Sequence, residues 1–130
     1  MRGYVAISSL FLLAACYHGP SIYKFGPVRG PDGVDADLRL QKARVRGELL
    51  EVQDSTLIVL TDSNKVVSVP LSGVRSGAFD KLGEIIGEGM NLESALAKLR
   101  PFSRFPAGLT PELRARLLAA YGQTEAQVVR

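Results

Sequence analysis

The segments RVRGELLEV at Arg44–Val52, TLIVLT at Thr56–Thr61 and KVVSV at residues 65–69 decide the fold of this chain. The first alternates apolar and polar residues over part of its length, which predicts a strand with one buried face. The second is apolar through its centre, which predicts a strand buried on both faces. Asp54-Ser55 and Asp62-Ser63-Asn64 separate the segments with residues that favour tight turns. The three segments therefore predict an antiparallel β-meander.

The meander is expected to span residues 38–76, with residues 71–74 adding a last short strand or a single helical turn. Its segments VRGELLEV, LIVL and VVSVPLSGV resemble the G-x-L … L-v-L … v-x-I-P-L-x-x-I rhythm of Sm-like and related small β-barrels. The resemblance implies a small barrel, and a homo-oligomer is possible because such barrels often form rings. It does not imply RNA binding, because no His or aromatic residue occupies the turns where bases would stack.

Residues 77–130 change to a helical period and are expected to form the helical C-terminal part of the same domain. Phe79, Leu82 and Ile86 follow the i, i+3, i+7 spacing, which predicts a short helix that ends near Gly87.

Two further helices carry N-terminal capping signals. Asn91 precedes LESALAKL at residues 92–99, and Thr110-Pro111-Glu112 combines an N-cap, a proline at the first helical position and an acid in the first turn. Gly122 suits the position after the second helix. Such short helices must pack on another element to be stable. The expected fold class is α+β, with a small antiparallel β-meander or barrel followed by two or three short helices.

The N-terminus carries a targeting signal. Arg2 is followed by an apolar run of residues 4–15, which is shorter than the roughly 20 residues of a membrane-spanning helix and is typical of a signal peptide. Leu13-Ala14-Ala15-Cys16 resembles the lipobox of bacterial lipoproteins. The resemblance implies that residues 1–15 are cleaved and that Cys16 receives a lipid, which anchors the chain in a membrane of the cell envelope.

Residues 16–37 are expected to form the lipidated cysteine and a flexible tether rich in Gly and Pro. The aromatic residues Tyr17, Tyr23 and Phe25 either rest at the membrane interface or pack on the domain. In enteric-type lipoproteins, an Asp directly after the lipidated Cys resembles a signal for retention in the inner membrane. This chain has Tyr17 at that position. The resemblance therefore implies that the protein is located at the periplasmic face of the outer membrane if the host has two membranes.

Composition argues against several function classes. The formal net charge of +3 falls to +2 without Arg2, and both signs are mixed, which favours a solvated surface over nucleic-acid binding. His18 is the only imidazole and lies in the tether, so no serine of the domain has a histidine base. The carboxylates Asp32, Asp35 and Asp37 lack the terminal glutamate of a calcium loop. We expect no catalytic residue, metal or cofactor, and a protein that is not an enzyme.

Arginines and phenylalanines in the C-terminal third form a candidate partner surface. The arginines are either a contact surface for anionic lipid, glycan or an acidic partner, or a solvated helix face. The phenylalanines either form an apolar patch that suits a partner or pack the helices on the sheet. The expected function is a non-enzymatic adaptor or accessory subunit that binds another envelope protein. The alternative is a module that binds a small ligand, lipid or glycan between meander and helices. The candidate residues are Arg100, Phe102, Arg104, Phe105, Arg114 and Arg116.

Overall fold

The structure is a computed structural model that describes residues 32–130. The predicted signal peptide, Cys16 and the tether up to residue 31 lie outside the described residues. A mostly antiparallel seven-stranded sheet and two short helices confirm the predicted α+β class. The elements are β1 Asp35–Leu40, β2 Arg44–Val52, β3 Thr56–Thr61, β4 Val66–Pro70, β5 Val74–Phe79, β6 Gly83–Ile86, α1 Leu92–Leu99, α2 Pro111–Ala120 and β7 Gln127–Val128.

The strands follow the order β6-β5-β1-β2-β3-β4-β7 in the sheet. Strands β2 to β4 form the predicted meander, and β1 precedes them as a further antiparallel strand that pairs with β2. A single 3-10 turn at Leu71–Gly73 then redirects the chain so that β5 returns to pair with β1. Only β7 is parallel to its neighbour, β4. Among the described residues no ladder joins β6 to β7, so these two strands are the edges of the sheet.

A bulge bends β2 and changes which residues face inward. Leu49 pairs with Val59 and Glu51 with Ile58, so Leu50 is the extra residue. Before the bulge, alternate residues up to Leu49 are buried on the inner face. After it, Val52 rejoins that face, while Leu50 packs into a second cluster on the outer face.

Two apolar clusters cover the two faces of β2–β4, as the continuous apolar character of β3 predicts. The inner cluster includes Leu38, Leu49, Val59, Val69 and Leu99, and α1 closes one side of it. The outer cluster lies under α2 and consists of Leu50, Ile58, Val66, Phe105, Leu109, Leu113, Leu117 and Leu118. Each fully buried side chain of this size contributes roughly 1.5–3 kcal/mol, so both helices owe their stability to these contacts.

Gly47 lets β2 and β3 approach closely at the position where it pairs with Thr61. A Cβ atom built on Gly47 would lie 2.1 Å from the carbonyl oxygen of Leu60 and 2.6 Å from Cα of Thr61. Neither atom belongs to a flexible side chain, so the backbone itself excludes any larger residue here.

The prediction that the tether extends to residue 37 is wrong at its end, because β1 begins at Asp35. Ala36, Leu38 and Leu40 alternate with polar residues and are buried, while Asp35 and Arg39 remain exposed. This is the period of a half-buried strand.

The helix predicted from Phe79, Leu82 and Ile86 is also wrong, because this segment forms β5, a turn and β6. Lys81 and Gly83 have φ angles of 70° and 78°, which a helix does not permit. Phe79 and Ile86 are both buried in the inner cluster, but they reach it from two neighbouring strands.

The other two predicted helices are confirmed, together with their N-caps. Oδ1 of Asn91 accepts a hydrogen bond from the Ser94 N–H over 2.9 Å, and Oγ1 of Thr110 accepts one from the Leu113 N–H over 3.1 Å. Within residues 32–130, neither helix has the length and apolar character needed to cross a bilayer.

Candidate functional site

A buried ion network joins the start of the domain to the loop after α1. Nε of Arg104 donates to Oε2 of Glu48 over 2.9 Å, and its guanidinium also contacts Asp32. The same Glu48 oxygen accepts the Gly33 N–H over 2.7 Å. Only 1% of the Arg104 side chain and 16% of the Glu48 side chain are exposed. The network therefore fixes the entry of the chain against β2.

The backbone beside the β2 bulge holds Arg104 in this position. The Arg104 N–H donates to the Leu49 carbonyl over 3.0 Å, and the Phe105 N–H donates to the Leu50 carbonyl over 2.8 Å. Gly33 allows this contact, because a Cβ there would lie 2.0 Å from the Leu49 oxygen and 2.7 Å from the Arg104 nitrogen. The bulge thus bends β2 and also provides the backbone carbonyl group that positions the buried Arg104.

Burial and charge shift two proton affinities in this network. Burial raises the pKa of Glu48, and the charge of Asp35 adds to this rise, while the Gly33 N–H opposes it. Burial likewise raises the pKa of Tyr121, with a further increase from the charge of Glu48 and a decrease from that of Arg104. Tyr121 therefore lies within the field of the buried pair.

A second buried carboxylate, Glu51, holds the start of α2. Its Oε2 accepts the Leu109 N–H over 2.9 Å, and its Oε1 accepts from Arg114 over 3.1 Å and from the Gln53 amide over 3.2 Å. The bulge at Leu50 explains this arrangement, since it turns Glu51 away from the inner face that Leu49 occupies. Glu51 and Glu48 thus both connect β2 to the segment that follows α1.

The structure does not bring the six residues of the predicted partner surface into one exposed patch. Phe105 is buried in the outer cluster and Arg104 in the ion network, so both are removed from that surface. Phe105 instead packs the helical part on the sheet, the alternative considered for it. Of the other four residues, Phe102 is 43% exposed and Arg116 is exposed. Arg100 is half-buried, and Arg114 forms an ion pair with Glu51.

Two exposed apolar side chains mark a different surface. Met90 is 44% exposed and Leu92 is 42% exposed, on the two sides of the Asn91 N-cap. Met90 lies between two shallow grooves of about 240 and 430 Å³, the first along β6 and the second toward the 3-10 turn. We call Met90, Leu92 and the open edge of β6 the apolar rim. The sequence indicates this surface only through Met90, an apolar residue that lies between Gly89 and the N-cap Asn91.

The opposite edge of the sheet is better covered. The Gln123 side chain accepts from the Val66 N–H over 2.8 Å and donates to the Val66 carbonyl over 2.9 Å, which satisfies the backbone at the start of β4. Further along, β7 pairs with β4 through Gln127 and Val128. The two edges of the sheet therefore differ: β6 lies beside two exposed apolar side chains, Met90 and Leu92, whereas β7 carries one, Val128.

Within residues 32–130, no three His, Cys, Asp or Glu side chains lie close enough to hold a metal ion.

Comparison with known proteins finds no relative. No protein-family model, curated protein or solved structure matches the chain.

Proposed function

We propose that this chain is a lipid-anchored protein of the bacterial cell envelope that acts as a non-enzymatic adaptor or accessory subunit by binding another envelope protein. The observation that carries the proposal is the apolar rim, where Met90 and Leu92 are exposed beside the open edge of β6. Large apolar side chains that are exposed next to one another commonly mark sites of protein contact.

The apolar rim has the features of a preorganised contact surface. The Met90 N–H donates to the Gly87 carbonyl over 3.1 Å, and Asn91 caps α1, so the backbone on which both side chains sit is fixed by hydrogen bonds. A rigid surface loses little conformational entropy when a partner binds. β6 has no strand on its outer side among residues 32–130, so its backbone groups there can offer hydrogen bonds next to the apolar contacts.

The predicted lipid on Cys16 supports the same function. A chain held at a membrane meets other membrane-bound proteins at a raised effective concentration, so a modest contact area is enough for stable association. Lipid chains contribute about 0.8 kcal/mol per buried CH₂, which makes attachment by several chains long-lived. The anchor and the apolar rim would thus act together.

Site-specific crosslinking in cells tests this proposal on the full lipidated chain. A photoreactive residue at position 90 or 92, followed by affinity purification, should recover one dominant envelope protein in near-stoichiometric amount. The matched control is the same residue at Val128, which is 53% exposed on β7 at the opposite edge of the sheet and should recover little.

A double variant, Met90→Asp with Leu92→Glu, should abolish this recovery while the fold is retained. Leu92 is the first residue of α1, where an added acid is favourable to the helix, so loss of binding would not come from loss of the helix. Recovery of the chain alone, or equal crosslinking from positions 92 and 128, would contradict the adaptor function.

A further inference from the structure

Three cationic side chains from distant parts of the chain line one groove. The groove has a volume of about 470 Å³ and lies where the β1–β2 turn, the 3-10 turn and residue 130 meet. Lys42, Arg75 and Arg130 are its charged residues, all three are exposed, and no Asp or Glu side chain lines it. We call it the cationic groove.

The topology of the sheet produces this convergence. Leu40 pairs with Val74, which places the β1–β2 turn with Lys42 beside the start of β5 and Arg75. The Val129 N–H donates to the Ser68 carbonyl over 2.9 Å, which extends the β7 pairing by one residue. As a result Arg130 packs beside the 3-10 turn, with its Cα 3.7 Å from a Cβ built on Gly73.

The three cations have no acidic partner among the described residues. Within residues 32–130 no Asp or Glu carboxylate forms an ion pair with Lys42, Arg75 or Arg130, whereas Arg44, Arg104 and Arg114 are each paired.

The neighbouring polar groups suit an anion that carries several oxygens. Ser72 and Gln41 line the same groove, and their side chains carry hydrogen-bond donors. Guanidinium and ammonium groups are the side chains that bind phosphate oxygens best, as paired hydrogen bonds or as point charges. Glu88 lines the adjoining groove together with Arg75.

We propose that the cationic groove binds a phosphate group, carried either by an anionic phospholipid headgroup or by a free phosphate compound. This inference goes beyond the adaptor function and does not depend on a protein partner. Val74 and Arg75 line both the cationic groove and the groove beside the apolar rim. Lys42 and Arg130 line the cationic groove but not the groove beside the apolar rim. Variants of Lys42 and Arg130 therefore test the phosphate site without changing the apolar rim.

The test is a titration of the full chain, labelled with ¹⁵N, in micelles of a non-ionic detergent. The probes are inorganic phosphate and a short-chain phosphatidylglycerol, with the equivalent phosphatidylcholine as the zwitterionic control. We expect saturable shifts of the amide signals of Lys42, Gly73 and Arg75. Binding should weaken strongly as NaCl is raised, because exposed charges are screened within about 10 Å at 0.1 M ionic strength.

The matched pair of variants is Lys42→Ala and Lys65→Ala. Both remove one exposed lysine that has no ion pair among the described residues, but Lys65 lies at the other end of β4. Lys42→Ala should weaken binding roughly tenfold, the usual effect of losing a hydrogen bond to a charged group, and adding Arg130→Ala should weaken it further. Lys65→Ala should change it less than twofold.

Each outcome decides the proposal. Tighter binding of phosphatidylglycerol than of phosphate assigns the groove to a lipid headgroup, and the reverse assigns it to a free phosphate compound. The proposal is overturned if neither probe shifts these amides, if phosphatidylcholine binds as well as phosphatidylglycerol, or if Lys42→Ala and Lys65→Ala weaken binding equally. Loss of a protein partner in the crosslinking experiment would leave this result unaffected.

Discussion

Nε of Arg104 donates a hydrogen bond to Oε2 of Glu48 over 2.9 Å, and only 1% of the Arg104 side chain is exposed. The two residues are 56 positions apart, and their contact joins the segment after α1 to the centre of the sheet. A buried ion pair gains little over a well-packed apolar pair, but removal of one partner leaves an uncompensated buried charge. This asymmetry makes the domain sensitive to loss of either member of the pair.

Arg104→Met should therefore destabilise the domain by about 3–5 kcal/mol at pH 7, because Glu48 loses its counter-charge. Urea unfolding measures this loss. The control is Arg44→Gln, since Arg44 forms a comparable 2.6 Å pair with Asp37 but has a side chain that is 48% exposed. That variant should have a much smaller effect. Equal losses in the two variants would contradict a special role for the buried pair.

The pKa of Glu48 predicts a dependence of stability on pH. Burial raises this pKa in the folded state above its ordinary value of 4.5, so the folded protein holds the proton more tightly than the unfolded chain. The contribution of Glu48 to stability should be fully present below 4.5 and should be lost as pH rises through the folded-state value. The unfolding free energy of the wild type relative to Glu48→Gln should thus increase on acidification from pH 7 to pH 4.

Paired measurements of the two proteins by urea unfolding across this range give the difference directly. A difference that is constant with pH, or that decreases toward acid, would show that the pKa of Glu48 is not raised in the folded state.

Gly47 should tolerate no side chain. Gly47→Ala places a methyl group 2.1 Å from the Leu60 carbonyl oxygen, so β2 and β3 must separate, and we expect a loss of at least about 3 kcal/mol. Gly73→Ala is the control, because its nearest contact would be ordinary, 3.7 Å from Cα of Arg130. Thermal unfolding should show a large decrease in Tm for the first variant and almost none for the second. Similar values would mean that the strands do not approach as closely as described.

Glu51 and Arg114, which form an ion pair, should contribute unequally to the stability of the domain. Glu51→Ala removes the acceptor of the buried Leu109 N–H as well as the partner of Arg114, and should cost about 3 kcal/mol. Arg114→Met should cost about 1 kcal/mol, because its side chain is 40% exposed and Glu51 keeps its bond to Leu109. The ratio of the two losses in urea unfolding checks the assignment. A larger loss from Arg114→Met would reverse it.

Local signals predicted those parts of the fold in which one residue type has one structural meaning. β2 and β3 have the bounds expected from their apolar patterns, and the N-caps Asn91 and Thr110 begin the two helices as expected. In each case a short-range rule, such as a side chain that accepts its own helix's N–H, is sufficient.

Elements that depend on tertiary pairing could not be predicted in the same way. β1 alternates correctly, but its outward positions hold Asp35 and Asp37 and it follows a stretch rich in Gly and Pro. The spacing of Phe79 and Ile86 fits a helix as well as two strands of a hairpin, because both arrangements bring the residues to one side. The backbone turn at Lys81 decides between them, and the apolar spacing does not reveal it.

The candidate site was still harder to predict. The sequence left open whether Phe105 is exposed or packed on the sheet, and it gave no sign that Arg104 is buried. Both positions are fixed by the bulge at Leu50, where the carbonyl oxygens of Leu49 and Leu50 accept the N–H groups of Arg104 and Phe105. The cationic groove depends on residues 42, 75 and 130, which only the return of β5 and the pairing of β7 bring together. No local rule links these positions.

The anchor is tested through Cys16, which lies outside the described residues. Cys16→Ser should abolish incorporation of a labelled fatty acid, because a hydroxyl cannot replace the thiolate as the nucleophile that captures the lipid. The variant should also keep its signal peptide, so its polypeptide should be longer than the mature wild-type polypeptide by residues 1–15, a difference that mass spectrometry detects. The matched control is Ser9→Cys in the Cys16→Ser background, which restores a thiol upstream of the lipobox and should not restore labelling. Labelling of Cys16→Ser at the wild-type level would refute lipid attachment at Cys16, and with it the membrane-bound part of the proposed function.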